Sequence, residues 1–451
     1  MSLVSNKPPG GGRRIRSGPG APAPTRGEEG APPSQPLSLG LPAGGPHDLD
    51  AIAQAVARLN GGKTPAQVEA SRNPVVRDPG TALQPPFKGY RWDPEVLAKV
   101  MRQTGVADAT AILETAIALD QNQRYLDADR LLEAARRGAA HVSAGFKWSP
   151  SALADVMRQT GAAEETAILR MAKRLDNGDR ELSEDELLRA AHILQRVVDA
   201  HDFVAIARAM NSLHGRSDVS VQTLAITDGG LPIDVARFAS ARQPPALRVL
   251  VTGGVHGDEP CGASSALLLI EQLAANPAMR QDIEWVVVPV VNPRALVNGT
   301  RETPEGIDIN REGKDDPSDP LEIDAMQALH KQSGPFALAL DLHSGKSDRN
   351  GFWVLQQSRD AGDDIAPDAV GRFATEWPVL HGDARPYNLS DPGVATSANP
   401  GTLKGLAIDH GARWAATVEA PGSIAYREQV LGENDIVHQM VLEARRRMGG
   451  S

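Results

Sequence analysis

Four short runs constrain this chain most: LRVLVTGG from Leu247, IEWVVVPVVN from Ile283, ALALDLHS from Ala337 and WAATVEAPG from Trp414. Each is a nearly continuous run of apolar, largely β-branched or small residues, and reads as a strand covered on both faces. Between the first two lies SSALLLIEQLAAN, whose apolar spacing is helical. Buried strands alternating with helices give an α/β fold with a mostly parallel or mixed sheet covered by helices. Such sheets keep their chemistry beyond the carboxyl ends of the strands. Three of the four runs carry a suitable side chain there: His256 and Glu259 in the loop after the first, His343 ending the third and Glu419 ending the fourth.

Bulk properties narrow the partners. The net charge of −10 argues against a nucleic-acid-binding surface, because neutralising phosphates needs clustered Lys and Arg. Cys261 is the only cysteine, so no intramolecular disulfide can form, and it is expected as a small buried apolar residue. No stretch reaches the ~18 apolar residues of a membrane helix, and no apolar segment follows the basic residues near the N-terminus. Neither a membrane span nor a Sec signal is expected, which leaves the cytoplasm or export by a signal-less route.

Residues 1–86 read as a disordered Pro/Gly-rich tail and linker with one short helix, HDLDAIAQAVARLNGG, capped by Asp48 or Asp50 and stopped by Gly61-Gly62. Residues 87–198 hold a duplication at an offset of 56, fixed by Trp92 and Trp148, with VMRQTG identical in both copies. Each copy is expected to be a small helical unit, and an unknown protein partner is its simplest use. The polar stretch DNGDRELSEDEL of the second copy resembles an EF-hand calcium loop through Asp176, Asp179 and Glu186 around the apolar Leu182. It is one residue short and lacks the turn glycine, and in the first copy Gln123 and Arg130 replace Asp179 and Glu186. A calcium-free, EF-hand-like domain is therefore expected, with Ca²⁺ disfavoured. The catalytic domain is expected over 199–451.

A catalytic zinc needs three His or carboxylate ligands and a position left to water; His256, Glu259 and His343 meet that requirement. Glu419 can then take a proton from water and return it to a leaving amine. The segment GTRETPEGIDINRE supplies Arg301, Asn310 and Arg311, two guanidiniums and an amide suited to a substrate carboxylate and a developing oxyanion.

These segments, GGVHGDEP, NPRALVNGTRETPEGIDINRE, DLHSG and TVEAPG, resemble the zinc carboxypeptidase superfamily, including its murein peptide amidase and aspartoacylase/succinylglutamate desuccinylase branches, over residues 203–448. The resemblance implies one Zn²⁺ held by His256, Glu259 and His343, with Glu419 as general base and acid. It implies Asn310 and Arg311 as the carboxylate anchor and Arg301 as the group polarising the scissile carbonyl. Tyr387, the only tyrosine between His343 and Glu419, is the candidate capping hydroxyl. His410 is expected on the surface, and Asp341 on the strand face opposite His343.

The expected activity is hydrolysis of an amide beside a free carboxylate, in a peptide or a peptidoglycan stem peptide. An N-acyl-amino-acid deacylase is the alternative, disfavoured because little beyond a helix ending Glu443-Ala-Arg-Arg-Arg follows Glu419. A rival of another class is a non-catalytic adaptor that uses the repeats for binding.

Overall fold

The computed structural model describes residues 45–72, separate stretches between 91 and 134, and 146–449 with breaks at 163–164, 177–178, 313–319, 346–350, 383 and 385. The expected tail over residues 1–44 lies outside the described residues. Nine strands form one mixed sheet: Val219–Ile226 (β1), Pro232–Phe238 (β2), Leu247–Thr252 (β3), Ile283–Val288 (β4), Leu338–Ser344 (β5), Trp353–Ser358 (β6), Leu389–Asp391 (β7), Val394–Thr396 (β8) and Trp414–Ala420 (β9). Their order is β7-β8-β6-β9-β5-β3-β4-β2-β1. The four apolar runs are the central strands β4, β3, β5 and β9, all mutually parallel, while β2 and β6 border them antiparallel.

Successive residues of the central strands enter different cores, which is why their sequences do not alternate with polar residues. Val249, Val251, Trp285, Val287, Leu340 and Leu342 belong to one apolar layer, and Leu250, Val286, Val288 and Ala339 to the other. Each such fully buried side chain contributes roughly 1.5–3 kcal/mol relative to exposure.

Twelve helices of the described residues matter here. Leu49–Leu59 (α1) and Pro65–Arg72 (α2) precede the repeats; Pro150–Thr160 (α3), Glu165–Leu175 (α4) and Glu184–Leu194 (α5) form the second copy. Phe203–Asn211 (α6), Pro260–Ala275 (α7), Pro293–Asn298 (α8), Leu321–Ser333 (α9), Ala366–Phe373 (α10), Leu403–Asp409 (α11) and Tyr426–Arg447 (α12) surround the sheet.

The segment before the repeats differs from expectation. Asp48 does cap α1, accepting from Asp50 N and Ala51 N. A second helix follows, because Thr64-Pro65-Ala66-Gln67 is a capping box: Thr64 Oγ1 accepts from Gln67 N, and Gln67 Oε1 from Thr64 N. Nor is α1 part of a free linker. Ile52 and Ala55 pack among Phe203, Ile206, Leu267 and Leu296, and His47 Nε2 lies 2.9 Å from Asp234 Oδ2.

The second repeat copy is closed by a two-residue parallel ladder, Lys147–Trp148 with Glu181–Leu182, and Arg91–Trp92 with Tyr125–Leu126 repeats it 56 positions earlier. Across the expected 198/199 boundary the apolar packing is continuous. Leu153, Ile168, Leu169 and Leu187 share one apolar cluster with Val249 and Leu340, so the second copy is fused to the sheet domain.

Candidate active site

The chain after β3 can turn under the site because Gly257 in the loop and Gly262 in the first turn of α7 face backbone. A Cβ on Gly257 would stand 1.9 Å from the Ala295 carbonyl oxygen, and one on Gly262 would stand 2.3 Å from that of Leu342. Larger residues would push α7 and the loop off the sheet. This close approach brings His256 and Glu259 beside His343 at the end of β5. One ligand atom from each of the three lies within 4.8 Å of the others.

Nitrogen by nitrogen, the histidines are arranged for a cation. His343 Nδ1 is 2.7 Å from Glu259 Oε2, while its Nε2 is 2.7 Å from Asp341 Oδ2. His256 Nε2 is 3.1 Å from Asp308 Oδ1. Its Nδ1 is buried and makes no hydrogen bond, although Glu259 Oε1 is 3.2 Å away. Each imidazole thus turns Nδ1 inward and has the other nitrogen held by an aspartate, the usual orientation of metal-binding histidines. An orphaned buried nitrogen, a facing nitrogen and a carboxylate oxygen form a donor set that fits zinc. Burial opposes protonation of His343, but Asp341 and Glu259 outweigh it and hold its pKa well above normal. A cation between the Nδ1 atoms would take over that electrostatic role.

Asp341 corrects the expectation of opposite faces. Residues two apart in a strand share a face, so Asp341 stands beside His343 and also accepts from Thr252 Oγ1 at 2.8 Å. Asp308 was not singled out from the sequence. It sits between two site residues, accepting from Arg301 Nε at 3.0 Å on Oδ2 while Oδ1 meets His256.

The remaining predicted residues line one cavity of about 850 Å³: Glu419, Arg301, Asn310, Arg311 and Tyr387, with the three metal-type ligands. Glu419 is directly in register with His343 across the β9–β5 ladder. Arg301 donates to Glu259 Oε1 at 3.1 Å. Asn310 is part of the framework: its Oδ1 accepts from Leu403 N at 2.9 Å, and its Nδ2 lies 3.2 Å from His343 Nε2. Arg311 is exposed and donates to the Asn310 carbonyl. Tyr387 leans on Trp353, and its hydroxyl accepts from Asn399 Nδ2 at 2.8 Å.

His410 does not line the cavity; it stacks on buried His330 at 5.1 Å. Three cavity residues had no signal of spacing to reveal them. Glu69 reaches the rim from α2, where it meets buried His201 at 3.0 Å. Tyr426 begins α12 and has its hydroxyl 2.6 Å from Ser264 Oγ. Lys404, on α11, is buried in the wall.

Residues 245–393 match the succinylglutamate desuccinylase/aspartoacylase catalytic domain family. An N-acyl-aromatic-L-amino acid amidohydrolase (carboxylate-forming) of Rattus norvegicus is 31% identical over 130 residues, 26% of this chain and 39% of that protein. The Mus musculus protein of the same name is 33% identical, over 22% of this chain and 34% of its own length. The chain thus matches well under two thirds of either relative. Among solved structures, a metallo-carboxypeptidase from Burkholderia cenocepacia superposes with a TM-score of 0.47 at 14% identity, covering 55% of this chain and 71% of that one. The matched stretch spans the loop after β3 and the Arg301 and His343 segments, and over it the chain is similar to the succinylglutamate desuccinylase/aspartoacylase catalytic domain.

Proposed function

We propose that the chain is a zinc-dependent amidohydrolase that cleaves an amide bond next to a free carboxylate. The observation that carries this reading is the convergence of His256, Glu259 and His343 with Glu419 on one cavity at the ends of parallel strands. When bound, zinc would make water nucleophilic near neutral pH and polarise the scissile carbonyl. Glu419 accepts the proton of the attacking water and delivers it to the leaving amine. Arg301, braced by Asp308, supplies positive charge where the oxyanion develops. Asp308 and Asp341 hold the imidazoles in the tautomer that leaves Nδ1 free to ligate.

The acyl part sets the substrate. The matched family and the rodent relatives support an N-acyl amino acid as the smallest substrate. A second reading, a peptide or peptidoglycan stem peptide, is supported by a cavity walled by Trp353, Leu355 and Tyr387 that has room for more than a small acyl amino acid. The adaptor reading is disfavoured, since a vestigial site would have lost at least one of the four chemical residues.

The test is hydrolysis of N-acetyl-L-amino acids and of short peptides, followed by mass spectrometry, with wild type and Glu419→Gln. Loss of at least ~10²-fold in turnover with zinc retained is expected. Turnover near the wild-type level in Glu419→Gln would move the proton transfer elsewhere, and failure to cleave any member of either set would reject the reading.

A further inference from the structure

Lys404 is among the largest fully enclosed side chains of the protein, with 2% of its surface exposed, yet it lines the catalytic cavity. An ammonium carries three donors. Among the described residues Lys404 Nζ uses one, to the Ser397 carbonyl at 2.6 Å, and no carboxylate approaches it within 4.0 Å. The nearest anionic influence is Asp341, whose own oxygens are engaged by Thr252 and His343. A buried cation left without a counter-ion is costly, and its two spare donors require a partner.

Its position suits one partner. Leu403, the preceding residue, donates its backbone N–H to Asn310, whose amide touches His343. Two side-chain contacts therefore link the metal-ligand cluster to the backbone next to Lys404, and Lys404, Asn310 and His343 line the same cavity. Asn310, by contrast, has its amide oxygen committed to Leu403, and Arg311 is exposed. An exposed ion pair is worth little, and a buried one responds strongly to loss of a partner.

We infer that Lys404 is the principal anchor of the substrate's free carboxylate, with Arg311 as an auxiliary at the rim. The assignment rests on the hydrolase reading for the identity of the substrate, while the anion site itself depends only on the enclosed ammonium. Burial lowers the Lys404 pKa to about 8, against the attraction of Asp341, so the side chain is charged at neutral pH.

The test uses the full chain and a panel of N-acetyl-L-amino acids with acidic, aliphatic and aromatic side chains, each compared with its C-terminal carboxamide. Calorimetric binding and kcat/KM are both measured, in wild type, Lys404→Met and Arg311→Ala. Wild type is expected to prefer the free acid over the amide, and Lys404→Met to lose at least ~30-fold of that preference, more than Arg311→Ala loses. The loss should appear in KM and in binding rather than in kcat, which a general structural defect would not select. Equal binding of acid and amide by wild type, an undiminished preference in Lys404→Met, or a larger loss in Arg311→Ala would each overturn the assignment. Carboxylate-dependent binding that disappears in Lys404→Met, with no member hydrolysed, would leave the anion site standing and reject the hydrolase reading.

Discussion

The two ends of the cavity are built on opposite terms. At the strand ends, the Nε2 of each histidine meets an aspartate, and Glu259 meets both imidazoles and Arg301. On the α11 wall, Lys404 is enclosed with one carbonyl and no adjacent carboxylate among the described residues. Groups at the first end position one another and need only a cation to complete them. The second end holds a charge that the fold alone does not neutralise, and such uncompensated burial is a mark of ligand binding.

Removing a ligand tests the first end most severely. Purified protein is expected to hold about one zinc ion, and His343→Ala to lose it, because two remaining ligands cannot complete a tetrahedral site. Zinc near one equivalent in His343→Ala, by atomic emission on protein dialysed without chelator, would show that the cluster is misassigned. Asp341→Asn should be milder. The imidazole keeps its place but loses a charged partner, and metal affinity should fall by roughly 10- to 100-fold in competition with a chromogenic chelator. Unchanged affinity would mean that strand geometry alone orients His343.

The other end should behave in the opposite way towards stability. Lys404→Met removes a buried charge and should stabilise the ligand-free protein by on the order of 2 kcal/mol in denaturant unfolding near pH 7. The folded pKa of about 8 lies below the ~10.4 of an unfolded lysine, so both states are protonated below pH 8 and the cost is then fully present. Between those values the unfolded chain binds more protons, and wild-type stability rises with pH. The advantage of Lys404→Met should accordingly shrink as pH climbs from 8 to 10. A variant less stable than wild type would make Lys404 a structural cation and blunt the contrast between the two ends.

This contrast also marks what the sequence could reveal. The central strands were legible because two-sided burial requires unbroken apolar runs, and the ligands because they sit at the ends of those runs. Thr64-Pro65-Ala66-Gln67 was legible in principle, as a capping box that opens α2. Asp341 shows that even a correct motif needs its strand periodicity applied residue by residue. Lys404, Glu69 and Tyr426 had no such handle, because each stands on a different helix and reaches the cavity only through tertiary packing. The docking of the second repeat copy lies between these cases. Arg170 covers the Trp377 ring at 4.2 Å, Lys173 pairs with Glu376 at 2.8 Å, and Arg174 pairs with Asp435. The positions 56 earlier carry Glu114, Ile117 and Ala118, so the duplicated sequence lacks these cations in the first copy.

The smallest expected effect concerns calcium at the second copy. Glu186, the late carboxylate of the calcium-like loop, is 1% exposed and completes the capping box of α5, where its Oε2 accepts from Ser183 N at 2.8 Å and Ser183 Oγ at 2.7 Å. Asp179 Oδ1 accepts from Glu181 N at 2.8 Å. Chelation would have to withdraw Glu186 from a cap worth on the order of 1 kcal/mol, in a loop already shorter than a standard calcium site. Ligand binding to the native state stabilises by RT ln(1 + [L]/Kd), so even a weak site would register at millimolar Ca²⁺. The melting temperature and helicity of the full chain are therefore expected not to move on adding calcium. A rise that vanishes in Glu186→Gln, which preserves the cap but not the charge, would turn the second copy into a calcium-responsive clamp held against the sheet domain by Arg170, Lys173 and Arg174.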